Sequence, residues 1–265
     1  MTELAVEARN LQVFRGDREV ISSSTFSFPR GSIVAVIGPN GSGKSSLLDA
    51  VVGLLETRAD TWSVLGTSPE KARQQTSYVL QHVNLAPGVP LTVREVVSMG
   101  RWSQRGFLGR LRGDDKRKIA TALEYLGVTD LANRQVTQLS GGQRQRVFVA
   151  QAVAQDHTLL LLDEPLTGLD IPSAKIIDDL IHAEPERGCT VVFTTHDLEE
   201  AGAADYVLLL AGRVVAAGSP EETLTPQNLA EAYGLGVLHP EQRGATHILD
   251  GGHEPDGHSL DGGHG

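Results

Sequence analysis

Residues 38–45 read GPNGSGKS, and they follow directly after the apolar run IVAVI at residues 33–37. The glycines of such a loop let backbone N–H groups curl around an anion, and a helix that begins there adds the positive end of its dipole. A continuous apolar run is typical of a buried parallel strand. A strand, this loop and a helix in succession predict an α/β fold of the P-loop NTPase type, with a phosphate site after the strand.

The loop itself supplies the first candidate site residues. Lys44 offers a positive charge to the β- and γ-phosphates, and the Ser45 hydroxyl is a ligand for Mg²⁺. An ordinary Gly-rich turn is the alternative, and the strand–helix context favours nucleotide binding. The rest of the predicted binding set is Gly38, Pro39, Asn40, Gly41, Ser42, Gly43 and Ser46.

A second buried strand ends in two acids, since residues 159–164 read LLLLDE. The carboxyl ends of the strands form the edge at which α/β sheets bind ligands. Asp163 is therefore expected to hold Mg²⁺ through water, and Glu164 to orient or deprotonate an attacking water. The alternative is that the two acids cap the next helix, and the P-loop upstream favours catalysis.

A second Gly-rich stretch, LSGGQ at residues 139–143, is also fit to begin a helix. Its place between a P-loop and LLLLDEP resembles the signature motif of ATP-binding cassette (ABC) ATPases. The resemblance covers residues 4–235. It implies the following motifs: Walker A at Gly38–Ser45, the Q-loop at Gln81, the signature at Ser140–Gln143, Walker B at Asp163 and Glu164, the D-loop at Thr167–Asp170 and the switch histidine at His196.

The resemblance implies why one chain carries two such loops. In the family, the signature of one cassette contacts the γ-phosphate of an ATP that lies on the Walker A motif of the other. Two chains therefore sit head-to-tail around a two-fold axis and share two ATPs. Closure excludes water, and hydrolysis removes the phosphate that bridges the two halves. The implied signature contacts are Ser140, Gly141, Gly142 and Gln143.

Single residues outside these loops also receive implied roles. Gln81 senses Mg²⁺ and the attacking water, and His196 contacts the γ-phosphate and positions Glu164. The implied catalytic set is thus Glu164, His196 and Lys44, and Asp170 joins the nucleotide-binding set. Taken alone, Gln81 reads as a solvated strand end and His196 as a helix cap.

One departure from the family concerns the base. Cassettes usually carry an aromatic residue in the first strand region that stacks on adenine, and by register that position is Arg15, before Gly16. Either Phe14 stacks through a local shift, or Arg15 stacks with its guanidinium plane. Phe14 as plain core is equally compatible with the sequence.

Strands that alternate with helices predict a mainly parallel core sheet, and the first strands predict an antiparallel N-terminal β subdomain. The helix after the P-loop is expected over Ser45–Leu55. Residues 85–137 are predicted to be an inserted helical subdomain. The ABC ATPase domain then spans residues 1–235. Residues 236–265 are rich in Gly, Asp and His and poor in large apolar groups, which predicts a flexible tail.

Composition narrows the functional classes. The formal net charge of −10 argues against general nucleic-acid binding. The single cysteine, Cys189, cannot form an intramolecular disulfide; it is expected to be a buried apolar residue, and no CxxC pair supports a zinc site. No apolar run approaches the roughly 20 residues of a membrane span. We therefore expect a protein peripheral to the cytoplasmic face of the membrane, held there by a partner.

The resemblance implies a transmembrane permease that contacts the residues after Gln81 and a secreted solute-binding protein. The stretch VVSMGRW at residues 96–102 resembles cassettes of importers for manganese, zinc or iron. Cargoes such as iron-siderophore, or a soluble ABC ATPase of iron–sulfur assembly, are the alternatives.

The tail is a second indication of metal. Five of the nine histidines follow residue 238, and neutral imidazoles bind Zn²⁺ readily. A merely solubilising tail is the alternative. These histidines are His239, His247, His253, His258 and His264.

Overall fold

The computed structural model describes residues 3–81, 90–105 and 111–234, and these residues form two sheets with helices packed around them. The predicted tail, residues 236–265, lies outside the described residues. Residues 82–89, where the permease contact is expected, also lie outside them.

The strands of the described residues fall into an antiparallel and a mainly parallel sheet. They are β1 (Leu4–Arg15), β2 (Arg18–Pro29), β3 (Ile33–Ile37), β4 (Glu56–Arg58), β5 (Thr61–Val64), β6 (Thr76–Val79), β7 (Leu159–Leu162), β8 (Thr190–Thr195), β9 (Tyr206–Leu210) and β10 (Val214–Gly218). In the first sheet, β1 pairs antiparallel with β2, β4 and β5. The second has the order β10-β9-β3-β8-β7-β6, and only the β10–β9 pair is antiparallel. The predicted fold class is confirmed.

The helices in the described part of the chain are α1 (Lys44–Val51), α2 (Pro69–Ala72), α3 (Val93–Arg105), α4 (Gly113–Tyr125), α5 (Gly141–Ala154), α6 (Ile171–Ala183), α7 (Leu198–Gly202), α8 (Pro220–Thr223) and α9 (Pro226–Tyr233). Short 3₁₀ turns lie at Arg73–Gln75, Thr129–Leu131, Val136–Gln138 and Pro185–Arg187.

The helix after the P-loop ends earlier than the sequence predicts. The prediction was Ser45–Leu55, and α1 spans Lys44–Val51. Gly53 follows in the left-handed region with φ of 69°, a conformation that commonly ends a helix. Leu55 therefore contacts the core from a connecting segment and not from the helix.

The core lies on both faces of the parallel sheet, as the strand β3 shows. Ile33, Ala35 and Ile37 pack into the cluster that includes the inner faces of α5 and α6. Val34 and Val36 pack into the opposite cluster, with α1 and the antiparallel sheet. Burial on both faces explains why this strand reads as an unbroken apolar run.

The helices of the predicted insert, α3 and α4, are held to each other and to the end of α5 through the buried Arg101. At the start of α3, the Thr92 N–H and hydroxyl donate to the Glu95 carboxylate at 2.7 Å, which forms a capping box. Arg101 of α3 is 2% exposed and contacts the fully buried Asp115 of α4 at 3.0 Å. It also donates to the Ala154 carbonyl at 3.1 Å, so α3, α4 and the end of α5 are held together.

Candidate functional site

A cleft of about 1000 Å³ opens at the carboxyl edge of the parallel sheet. The loops that follow β3, β6, β7 and β8 all contribute to it, because parallel strands end at the same edge. The structure thus brings the P-loop, Gln81, Glu164 and His196 together. The described residues that line the cleft are Arg18, Val20, Gly38–Ser46, Gln81, Glu164, Thr167, His196 and Tyr233.

The P-loop is bent so tightly that two of its positions admit only glycine. A Cβ on Gly38 would lie 1.9 Å from the Leu210 carbonyl oxygen. Gly43 has φ of 105°, and a Cβ there would lie 2.9 Å from Ile21 Cγ1. Ser42 Oγ is buried without a hydrogen-bond partner among the described residues. Such an orphaned polar atom in a Gly-lined cradle fits a phosphate ligand.

Lys44 lies folded under this loop and is only 6% exposed. Its Nζ donates to the Gly38 carbonyl at 2.8 Å and to the Pro39 carbonyl at 3.4 Å. Burial lowers the pKa of Lys44, and the nearby Glu164 and Asp163 act against that shift. An ammonium has three N–H donors, so Lys44 can bind a phosphate without leaving the loop.

The two acids after β7 have different surroundings. Asp163 is 4% exposed and accepts a hydrogen bond from Thr194 Oγ1 at 2.6 Å. The same Thr194 oxygen accepts from the Glu164 N–H at 2.8 Å. Asp163 therefore lies behind the cleft wall, and Glu164 reaches into the cleft. Thr194, at the end of β8, fixes both, and the sequence reasoning assigned it no role.

Glu164 carries two marks of a functional residue. Its backbone has φ of 47°, which is strained for a residue with a side chain and occurs preferentially at active sites. Its Oε2 accepts a hydrogen bond from Gln81 Nε2 at 2.7 Å. The predicted Q-loop and Walker B residues are thus in direct contact.

His196 is exposed to the cleft and does not cap the next helix. That position belongs to Asp197, whose carboxylate accepts from the N–H groups of Glu199 at 2.7 Å and Glu200 at 3.4 Å. The Asp197 N–H donates in turn to Thr195 Oγ1 at 3.0 Å. The helix-cap alternative for His196 is therefore wrong, and the imidazole is left to face the nucleotide site.

The signature residues do not line this cleft. Ser140 caps α5 reciprocally: its Oγ accepts from the Gln143 N–H at 3.3 Å, and its N–H donates to Gln143 Oε1 at 3.1 Å. Gly142 lies against the start of α6, where the Asp170 carboxylate accepts from the Ser173 N–H at 2.8 Å. This hydrogen bond is the main cause of the lowered pKa of Asp170. The structure brings the signature and Asp170 together, away from the P-loop cleft.

Neither candidate for adenine stacking lines the cleft. Arg15 contacts Asp49 at 2.8 Å, and the Arg58 guanidinium lies 4.7 Å above the centre of the Phe14 ring. The aromatic residue along the cleft in the described chain is Tyr233, at the end of α9, where burial raises the pKa of its phenol. The sequence reasoning missed Arg18, Val20 and Tyr233, which carry no motif.

A P-loop with a buried lysine, joined to a strained acid and an exposed histidine at one sheet edge, defines a P-loop nucleoside triphosphatase. Residues 21–167 match the family model described as ABC transporter. The chain therefore belongs to the ABC transporter family. It is an ATP-binding and ATP-hydrolysing subunit whose hydrolysis is coupled to transport.

Relatives and solved structures agree with this assignment. The manganese transport system ATP-binding protein MntB of Halalkalibacterium halodurans is 36% identical over 229 residues, 86% of this chain and 91% of its own. The zinc transport system ATP-binding protein TroB of Treponema pallidum is 37% identical over 234 residues, 88% of each chain. A solved ATP binding subunit of an ABC transporter has 26% identity and a TM-score of 0.72, covering 88% of this chain and 94% of its own. Among the described residues, no helix has the length and apolar character to cross a membrane.

The contact between the signature helix and α6 gives a test of stability. A Cβ on Gly142 would lie 2.7 Å from Ser173 Oγ and 2.8 Å from Asp170 Oδ2. We expect Gly142→Ala to lower the free energy of unfolding by about 1–3 kcal/mol, because the cap of α6 must shift. Gly141, with open space around its Cβ position, is the matched control. Urea unfolding of Gly141→Ala should show equal or slightly higher stability. Equal midpoints for both variants would contradict the packing argument.

Proposed function

We propose that this chain is the ATPase subunit of an importer for a divalent metal ion, zinc or manganese. It works as a head-to-tail pair bound to a transmembrane permease at the cytoplasmic face of the membrane. The main support for a site shared by two chains is the separation of the P-loop from the signature. Among the described residues that line the P-loop cleft, none belongs to the signature. Each site is complete only when a second copy supplies one.

The proposed roles follow from the geometry of the cleft. The loop Gly38–Ser46 and the Lys44 ammonium hold the phosphates. Ser45 and Gln81 offer oxygen atoms suited to Mg²⁺, and Asp163, behind the cleft wall, would hold the ion through a water molecule. Mg²⁺ would neutralise charge on the transferred phosphate when bound. Glu164 orients or deprotonates the attacking water, and His196 contacts the γ-phosphate.

The signature supplies the other half of the site. Ser140 and Gly141 are exposed at the start of α5, and Gln143 is half-buried there. The 14 residues of this helix give its N-terminus a positive potential. Gly142 is buried against α6, so the signature and Asp170 approach the second copy as one unit. In an isologous pair, the P-loop of each chain faces the signature of the other, so one set of residues forms two identical sites.

The Gln81–Glu164 hydrogen bond suggests how the permease gains control. Glu164 cannot give both lone pairs of Oε2 to water while Gln81 holds that oxygen at 2.7 Å. Gln81 directly precedes residues 82–89, the proposed permease contact. A permease that contacts the chain after Gln81 would shift Gln81 and release Glu164, which links transport to hydrolysis.

An apolar groove beside Gln81 supports this contact. The groove measures about 290 Å³ and lies between β6, α3 and α5, lined by Leu80, Met99 and Phe148 among others. Leu80 of this lining is 43% exposed, which is unusual for a large apolar side chain. An apolar helix of the permease is the occupant that this surface fits.

The cargo is inferred from the relatives named above, which are called manganese and zinc transport proteins. The stretch at residues 96–102 and the histidines after residue 238 agree with it. A secreted solute-binding protein completes the proposed system. Deleting the gene should abolish uptake of radioactive manganese or zinc, and unchanged uptake of both would redirect the proposal to iron-siderophore or another solute.

The shared site is tested by mixing two inactive variants. Lys44→Ala removes the positive charge that binds the phosphates. Ser140→Asp keeps an N-cap acceptor for α5 but places a negative charge against the γ-phosphate. Each variant alone should lose ATP turnover. A mixture forms hetero-pairs in which one site has both an intact P-loop and an intact signature, so turnover should return. Failure to recover any activity, with pairing verified by tagged pull-down, would contradict the shared site.

The role of Glu164 is tested by Glu164→Gln. We expect turnover to fall by at least about 100-fold, since a general base contributes at least that much. ATP binding should persist, because Lys44 and the loop are untouched, and the ATP-bound pair should accumulate on size-exclusion chromatography. Lys44→Ala is the control that loses nucleotide binding itself. Normal turnover of Glu164→Gln would remove Glu164 from the catalytic set.

The permease groove is tested by Leu80→Asp in the assembled transporter. Basal ATPase of the isolated chain should stay intact, and stimulation of the ATPase by permease should fall several-fold. Leu54→Asp is the matched control, since Leu54 is 61% exposed and does not line the groove. Equal stimulation of both variants would place the permease contact elsewhere.

A further inference from the structure

Three chemically reactive side chains meet at the opposite edge of the parallel sheet from the ATP cleft. His157 lies between α5 and β7, Glu184 ends α6, and Cys189 directly precedes β8. One ligand atom from each lies within 4.8 Å of the other two. Their side chains are almost fully buried, with 5% exposure for His157 and 4% for Glu184, and the Cys189 residue is 3% exposed.

The imidazole of His157 is oriented for a ligand. Its Nδ1 lies 2.9 Å from the Gln155 carbonyl oxygen, so Nδ1 carries the proton in the neutral ring. Nε2 then presents a bare lone pair and has no hydrogen-bond partner among the described residues. It faces Glu184 Oε2 at 3.3 Å, which places one acceptor against another. Only a cation between them relieves this contact, and that cation is either a proton or a metal.

The other two side chains have contacts of their own. Arg187 donates to Glu184 Oε1 at 3.1 Å, which holds the carboxylate with Oε2 directed toward His157. Hydrogen bonds of this kind orient metal ligands in proteins. The Cys189 thiol donates to the Thr190 carbonyl at 3.4 Å, and burial raises its pKa to about 12, so a metal must displace this proton to bind the sulfur.

We propose that His157, Glu184 and Cys189 form a zinc site. Imidazole nitrogen, carboxylate oxygen and thiolate sulfur are the donors that Zn²⁺ takes in proteins. Sulfur disfavours Mn²⁺, which prefers oxygen ligands. On binding, Zn²⁺ accepts the sulfur lone pair and the thiol proton leaves to solvent, with no change of oxidation state.

The site joins three elements that are otherwise held together at this edge by side-chain packing. It connects the end of the signature helix α5 to the end of α6 and the start of β8. Asp156, next to His157, contacts Arg101 and Lys118 of the inserted helices. Zinc would therefore stabilise the junction between the inserted helices and the core. The absence of a CxxC pair hid this site, because its ligands come from separate elements.

Cobalt provides a sharp test in the full chain, because a thiolate bound to Co²⁺ gives a near-ultraviolet charge-transfer band. Cys189 is the single cysteine, so the histidines after residue 238 cannot produce that band. Titration of the metal-free, reduced protein should give the band at one Co²⁺ per chain, and Zn²⁺ should abolish it. The amplitude per chain should not change on dilution, which separates the site from a metal shared between two chains.

Variants assign the ligands. Cys189→Ser should lose the band while ATP binding stays unchanged, and His157→Gln should weaken cobalt binding by at least about tenfold. Glu186→Gln, beside the site but outside the cluster, is the control and should bind as the wild type does. A wild-type protein saturated with Co²⁺ that shows no band would overturn the proposal and leave a protonated His157–Glu184 ion pair. ATP plays no part in this readout, so its outcome is independent of the proposed transport function.

Discussion

Much of the ATP site is arranged around the buried ammonium of Lys44. A charge that is only 6% exposed needs nearby acceptors, and the Gly38 carbonyl supplies one only because the loop bends back over the lysine. That bend leaves no room for a side chain at Gly38, whose Cβ would strike the Leu210 carbonyl at the end of β9. The position of the Lys44 ammonium therefore depends on the packing of β9 against β3.

The order of the strands in the sheet brings Asp163 and Glu164 close to the Lys44 ammonium. β8 separates β3 from β7, so the loop after β7 opens two strands away from the P-loop. Thr194 at the end of the intervening β8 then bonds both Asp163 and the Glu164 backbone. The strained backbone of Glu164 persists because this hydroxyl and the Gln81 side chain hold the residue at both ends. One strand thus links Asp163, the proposed Mg²⁺ ligand, to Glu164, the proposed general base.

The sequence predicted those parts of the fold that depend on local pattern. β3 and β7 are apolar along their whole length because both of their faces are buried. The P-loop has a spacing of glycine, lysine and serine that few other structures require. β4 and β5 were missed, since their mixed polar residues gain stability from pairing with β1 and not from an apolar run. Tyr233 and the His157–Glu184–Cys189 cluster were missed for the same reason: their positions depend on contacts between distant segments.

The division of the ATP site between two faces has a physical consequence. Within one chain, the signature is fixed to α6 through the contact of Gly142 with Asp170 and Ser173, and it cannot turn toward the chain's own cleft without breaking that contact. The same contact makes the signature rigid for a partner, so closure costs little loss of freedom at that surface. In the proposed pair, the γ-phosphate binds Lys44 of one chain and the start of α5 of the other. Hydrolysis would remove this bridge between the two chains, which favours opening of the proposed pair.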